Sequence, residues 1–197
     1  MRYPLYGLVL AGGKSTRMGE DKGLISYFGL EHRIYLAKLL SPFCEKTYIS
    51  CQENQLSESL DGCNPLIDLV PSKGPMSGLI SAFLTHPNAA WLVIPCDLPL
   101  FSAKNITQLI TERNVQGIAT VFSSANHDYP EPLIGIWEPS AFPLIEQQYK
   151  VGNYSLLNIL NNNHIFLVPA LDPEGLTNVN TPEEKRALSL LHPSVQF

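Results

Sequence analysis

Charge is scarce in this chain, and what there is leans acidic. Charged residues make up 16% of its 197 residues, and the net charge is −5. With no basic field over the molecule, the composition weighs against a nucleic-acid binder, and any bound anion must be held by a local cluster. Cysteine is sparse too. Cys44, Cys51, Cys63 and Cys96 form no C-x-x-C pair, and their gaps fit no zinc pattern. They are expected to be reduced, mostly buried thiols. The five histidines never pair at ligand spacing, so no histidine-based metal site is expected. No apolar run approaches the roughly 18 residues of a membrane span. The stretch between Pro4 and Ala11 is too short for a signal-peptide core. The expectation is a soluble, cytoplasmic protein with neither nucleic acid nor membrane as partner. Repeats, low-complexity segments and long linkers are also missing. What remains is ordinary globular composition, 45% hydrophobic. A chain of this length can bury roughly 70% of its unfolded surface. A single domain over residues 1–197 is expected.

The apolar pattern predicts alternating strands and helices. Leu5 to Leu10, Thr47 to Cys51, Leu66 to Leu69 and Trp91 to Pro95 read as strands, with Gly117 to Phe122 and Leu133 to Trp137 later in the chain. Leu30, Ile34, Ala37 and Leu40 recur at helical spacing. Pro75 to Leu84 reads as a helix, and Ser102 caps another that runs to about Arg113. Ser155 to Leu160 and Thr181 to Leu191 complete the set. The early strands are apolar without alternation, as strands covered on both faces are. The predicted fold is therefore α/β, a mostly parallel sheet between two layers of helices. Ligands in such sheets sit beyond the carboxyl ends of the strands. That places interest on residues 11–22, Ser50, Asp68 and the Cys96-Asp97-Leu98-Pro99 turn.

The segment from Leu10 to Lys22 is the most informative. Gly12, Gly13 and Gly19 permit close approach of the backbone to a ligand. Successive main-chain N–H groups in such a loop form an anion-binding nest. Lys14, Arg17 and Lys22 add three cations to an otherwise acidic chain. Together they describe a polyphosphate site. It is not a P-loop, because the leading glycine of Gly-x-x-x-x-Gly-Lys-Ser would fall on Leu8. Nor is it the dinucleotide fingerprint, since Gly12 and Gly13 are adjacent.

The run Leu-Ala-Gly-Gly-Lys-Ser-Thr-Arg-Met-Gly-Glu-Asp-Lys resembles the opening motif of the nucleotidyltransferases of molybdenum cofactor biosynthesis, most closely the MobA-type guanylyltransferase branch. Four further segments match in the family's order. They are Ile67-Asp68, the Gly74 to Gly78 stretch, Ile94 to Pro99, and Asn178 to Glu184.

The resemblance implies a Rossmann-like nucleotidyltransferase fold. It implies transfer of GMP from GTP to the terminal phosphate of molybdopterin or molybdenum-molybdopterin. The products would be molybdopterin guanine dinucleotide and pyrophosphate, with Mg2+ as cofactor. Other molybdenum cofactor assembly proteins are possible partners on the same ground. By similarity, Leu10, Ala11, Gly12, Gly13, Lys22, Ser50, Asp68, Gly78 and Asp97 bind the nucleotide. Arg17, Lys22 and Asp97 are the catalytic candidates, and Asp97 is the metal ligand; Asn178 or Asn180 would supply a second, with Asn180 favoured because it directly precedes the Thr181-Pro182 helix start. Ser50 stands where the guanylyltransferase pattern usually has asparagine, and a serine cannot offer the amide's paired donor and acceptor. Glu131 lies where the family often has a histidine near the acceptor.

Three alternatives stand beside this reading. Cytidylyl transfer to the same acceptor is disfavoured by Leu-Ala-Gly-Gly, where that branch tends to show Leu-Ala-Ala-Gly. Transfer to a sugar phosphate would usually need more chain. A non-catalytic nucleotide-binding subunit conflicts with intact Lys22 and Asp97. Elsewhere, His127 and Asp128 read as loop residues, Trp91 and Trp137 as core, and Asn161 to Asn163 as a helix end.

Overall fold

The computed structural model describes residues 3–11, 26–27, 30–52, 60–124 and 129–192. Strand β1 (Leu5–Leu10) is followed by a short antiparallel pair, β2 (Ser26–Tyr27) and β3 (Leu30–Glu31). Helix α1 (His32–Leu40) then leads to β4 (Lys46–Cys51) and β5 (Asn64–Ile67). Next come α2 (Pro75–Thr85), β6 (Ala90–Pro95), α3 (Ala103–Thr111), β7 (Ala119–Ser123) and β8 (Pro130–Trp137). The chain ends with α4 (Phe142–Lys150), α5 (Leu156–Asn161), β9 (Ile165–Val168) and α6 (Pro182–Leu191).

Seven strands form one sheet in the order β5-β4-β1-β6-β8-β7-β9. All neighbouring strands are parallel except at β8, which runs antiparallel to β6 and β7. The reversal follows from chain length. Ser123 pairs with Pro130, and six intervening residues can close a hairpin but cannot make a parallel crossover.

Both faces of the sheet are covered, which is why β1 and β6 at its centre carry no charged residue and β6 is buried at every position. In β6, Trp91 and Val93 face one core with Met76, Phe83, Ile145 and Ile159 of α2, α4 and α5. Ala90, Leu92 and Ile94 face the other, with Leu36, Leu40, Ile106 and Leu109 of α1 and α3. Trp91 and Trp137 are wholly buried, as core residues should be.

The structure departs from the pattern-based reading in several places. Leu30 belongs to β3 rather than to the helix, β7 spans Ala119–Ser123 rather than Gly117 to Phe122, and β8 begins at Pro130 rather than Leu133. The third strand is Asn64–Ile67 rather than Leu66 to Leu69. Pro65 is compatible with it because β5 lies at the sheet edge. Helix α4 escaped notice because Pro139 stands just before it, Pro143 sits in its first turn, and Ile145 is its one buried residue. Strand β9 is a four-residue edge strand behind the Asn161 to Asn163 turn. Of the four thiols, which are all free, Cys51 is buried and the other three are half-buried. Burial pushes the Cys44 thiol up to about 12, well out of the reactive range.

Candidate active site

The chain runs from β1 outward to β4 and β5, then returns to place β6 on β1's other side. The carboxyl ends of β1 and β6 therefore flank the point where the strand order reverses, where open α/β sheets bind ligands. Backbone hydrogen bonds hold these ends level. The Ala11 amide donates to the Ser50 carbonyl at 3.2 Å, and the Cys96 amide donates to the Leu10 carbonyl at 3.2 Å. Leu10, Ala11, Ser50 and the turn that carries Asp97 thus form one rim.

On the β4–β5 side, the Ser50 hydroxyl donates to Asp68 Oδ1 at 3.1 Å. The Asp68 amide donates to the Cys51 carbonyl at 3.2 Å, fixing the residue just beyond β5. Burial raises the Asp68 carboxyl above its ordinary value, and the hydrogen bond from Ser50 works against that. Gly78, in the second turn of α2, lets the helix close on this pair. A Cβ there would lie 2.5 Å from Ser50 Oγ and 2.7 Å from Leu10 Cδ2.

The loop between Asp68 and α2 is pinned by two serines of that helix, both fully buried. Ser81 Oγ accepts from the Leu69 amide at 2.8 Å. Ser77 Oγ accepts from the Lys73 amide at 2.7 Å and donates to the Pro71 carbonyl at 3.0 Å. Pro71 also accepts from the Tyr149 hydroxyl at 2.8 Å. Sequence reasoning took in Ser77 only as part of the Gly74 to Gly78 stretch and missed Ser81. Their spacing of four on a helix otherwise buried and apolar was the available signal.

On the β6 side, Asp97 follows the last strand residue by two positions and is half-buried, with Oδ1 shielded from solvent. Its carbonyl accepts the Val179 amide at 2.9 Å. This contact brings a segment 82 positions later in the chain to Asp97, and places Asn178 and Asn180 on either side of the contact. Asn178 is exposed and Asn180 half-buried. The backbone of Asn180 also serves helix α6: its amide and that of Thr181 donate to Glu184 Oε2 at 2.6 and 3.2 Å, and Thr181 completes the capping box.

His32 is another residue that sequence reasoning did not single out. It is wholly buried at the start of α1, stacked on Tyr35 with ring centroids 5.8 Å apart. Its Nε2 lies 3.2 Å from the carbonyl of Leu98, next to Asp97. A carbonyl can only accept, so Nε2 carries the proton. Burial pushes this imidazole down to about 4, with the Leu98 hydrogen bond opposing, so the ring is neutral at physiological pH.

Glu131 is half-buried near the start of β8. Because β8 is antiparallel, its start lies at the same end of the sheet as the carboxyl ends of its parallel neighbours. Burial raises the Glu131 carboxyl above its usual range. Gly12, Gly13, Lys14, Arg17 and Lys22, together with His127 and Asp128, lie outside the described residues.

Among the described residues no group of three or more His, Cys, Asp or Glu could hold a metal unaided. The donors present still fit magnesium, which is held through one or two carboxylates plus substrate phosphates and water. Asp97 offers the hard oxygen, and the carbonyl-bearing amides of Asn178 and Asn180 are neighbours of its Val179 contact. No helix among the described residues is long and apolar enough to cross a membrane.

The sequence matches the MobA-like NTP transferase domain over residues 7–165. A molybdenum cofactor biosynthesis bifunctional protein of Synechocystis sp. is 36% identical over 182 residues, covering 92% of this chain and 52% of the relative. The chain thus spans about half the length of that protein. A molybdenum cofactor guanylyltransferase of Serratia proteamaculans is 30% identical over 164 residues, covering 82% of this chain and 81% of the relative. Among solved structures, molybdopterin-guanine dinucleotide biosynthesis protein A from Archaeoglobus fulgidus superposes with a TM-score of 0.79 at 24% identity, covering 95% of this chain and 99% of that one. A nucleotidyl transferase from Methanothermobacter superposes with a TM-score of 0.75 at 14% identity, covering 97% and 98%. At these identities the structural likeness establishes the fold.

Proposed function

Because the chain belongs to the MobA-like NTP transferase family, we propose that it transfers GMP from GTP to the terminal phosphate of molybdopterin, with or without bound molybdenum. An oxygen of the acceptor phosphate attacks the α-phosphorus, a new P–O–P bond forms, and the bond to the β-phosphate breaks to release pyrophosphate. The product is molybdopterin guanine dinucleotide.

The observation that carries this reading is the convergence of Leu10, Ala11, Ser50, Asp68 and Asp97 on one rim at the switch point of the sheet. No covalent nucleophile is needed. The reaction requires two anions to be positioned and developing charge to be neutralised. In this reading the backbone from Leu10 to Gly13 receives the nucleotide, with Arg17 and Lys22 on its phosphates. Asp68, oriented by Ser50, faces the base or ribose, and Gly78 sets how closely α2 approaches them. Asp97 holds Mg2+, with Asn180 as second ligand. When bound, Mg2+ supplies charge neutralisation on the phosphate oxygens and the leaving pyrophosphate. The first loop reads Leu-Ala-Gly-Gly, which favours guanine over cytosine as the base. The enzyme is proposed to act in the cytoplasm as a single domain, alongside other molybdenum cofactor assembly proteins.

Calorimetric titration with GTP, CTP, ATP and UTP, each with and without Mg2+, tests the assignment. GTP is expected to bind most tightly and to need Mg2+ for full affinity. Preferential binding of CTP would overturn the guanylyl reading.

A further inference from the structure

The Asp97 turn is fixed from two sides. Val179 donates its amide to the carbonyl of Asp97 at 2.9 Å. The next carbonyl, that of Leu98, accepts the Phe101 amide at 3.2 Å and lies 3.2 Å from His32 Nε2. The Phe101 bond is local and closes the turn on itself. The His32 bond spans 66 positions and ties the turn to the first turn of α1, the helix that follows the glycine loop.

We infer that His32 is a positioning residue for the metal-binding carboxylate: its Nε2–H holds the Leu98 carbonyl and thereby sets where Asp97 presents its oxygens. This rests on the reading of Asp97 as the magnesium ligand.

Three features make a designed contact of this bond. His32 is wholly buried, so its imidazole has given up water in exchange for this partner. Tyr35, three positions on and on the same face of α1, stacks on the ring at an interplanar angle of 14°, which fixes its orientation as well as its place. Leu98 itself is wholly buried, so its carbonyl is anchored to a part of the chain that packs in the core with α1 and α3. A carboxylate that must meet both a cation and a triphosphate gains from a rigid support, because a displacement of about 1 Å at a reacting centre can lower rate by on the order of 100-fold. The role is to orient: His32 touches neither nucleotide nor metal in this account.

The test is the ratio of GTP affinity with and without Mg2+, measured by calorimetry, alongside thermal stability. Four variants are compared with the wild-type chain. Asp97→Asn removes the carboxylate. His32→Leu removes the donor at similar volume. His32→Gln places an N–H the same number of bonds from Cβ as histidine Nε2. His32→Asn stays polar but stops short of Leu98, and serves if the leucine variant does not fold. Residues that orient metal ligands typically alter metal affinity by about 10- to 100-fold when replaced. The Mg2+ enhancement of GTP binding is therefore expected to fall at least about tenfold in His32→Leu and His32→Asn, and to recover in His32→Gln. GTP affinity without Mg2+ should change little in all three. A merely structural role would lower the melting temperature and leave the ratio unchanged, which would overturn the inference. If Asp97→Asn itself leaves the ratio unchanged, the metal reading of Asp97 fails and the inference fails with it. If Asp97→Asn abolishes the enhancement while His32→Leu and His32→Asn keep it, the inference alone is refuted.

Discussion

The amide of Val179 donates to the carbonyl of Asp97 at 2.9 Å, joining the turn after β6 to the segment that starts α6. That bond explains how two motifs far apart in the chain, Pro95-Cys96-Asp97 and Asn178-Val179-Asn180, come to share one site. Several expectations follow from this arrangement and from the rim it belongs to.

Asp97→Asn is expected to lower turnover by on the order of 100-fold or more, since a metal-binding carboxylate neutralises charge that builds in the transition state. Its backbone bonds to Val179 and the rest of the turn do not involve the side chain. The amide is isosteric with the carboxylate, so the fold should survive the change. Steady-state kinetics with GTP and Mg2+ check this, and near-normal activity would exclude Asp97 as the essential metal ligand.

Lys22→Ala should lower kcat/KM for GTP by about 10- to 150-fold, the equivalent of one charged hydrogen bond. A solvated surface lysine would show almost no change. Kinetics over a GTP series distinguish the two, and an unchanged kcat/KM would count against a phosphate role.

Gly78→Ala should act on two levels. The added Cβ would lie 2.5 Å from Ser50 Oγ and 2.7 Å from Leu10 Cδ2 in a buried position. Overpacking of this kind costs about 1–3 kcal/mol. Moving the Ser50 hydroxyl also loosens its bond to Asp68. Urea denaturation should show the loss of stability, and calorimetry a weaker Kd for GTP. A variant as stable as wild type with unchanged Kd would show that the space around Gly78 is not limiting.

His32 makes the fold sensitive to acid. Its imidazole is held down to about 4 by burial, against an ordinary value of 6.5. A group that is harder to protonate folded than unfolded contributes its full stability above the unfolded value. That contribution is lost as pH falls through 6.5 toward the folded value. The depression corresponds to about 3 kcal/mol across that window. The difference in unfolding free energy between the wild-type chain and His32→Gln should therefore shift steadily against wild type from pH 6.5 to 4. Parallel pH profiles for the two proteins would contradict the buried, neutral state of His32.

Much of this architecture was readable in the chain because burial on both faces leaves a strong local trace. Leu5 to Leu10 and Trp91 to Pro95 are apolar throughout for that reason, and they locate the switch point and the Asp97 turn. The edges were harder. Leu66 is the one buried residue of β5, so the pattern around it drew the strand two residues too late. The α4 stripe is too thin to register against two prolines. The supports of the site were the least legible. His32 meets Leu98 across 66 positions, and Ser77 and Ser81 hold a loop that precedes their own helix. The buried pair of Arg113 with Glu138, at 2.7 and 2.9 Å, joins residues 25 positions apart. Such partners are fixed by tertiary packing, and spacing along the chain carries little sign of them. The residues that contact ligand by similarity sit in short motifs, whereas the residues that orient them are scattered.

The central proposal is guanylyl transfer at the carboxyl end of this sheet. The most direct measurement incubates the purified chain with GTP, Mg2+ and molybdopterin, with mass spectrometry of the pterin product and a parallel assay of pyrophosphate. The account predicts molybdopterin guanine dinucleotide and an equal amount of pyrophosphate, with neither formed when GTP is replaced by CTP. Formation of the cytosine dinucleotide in preference, or no dinucleotide from any of the four nucleotides, would contradict it.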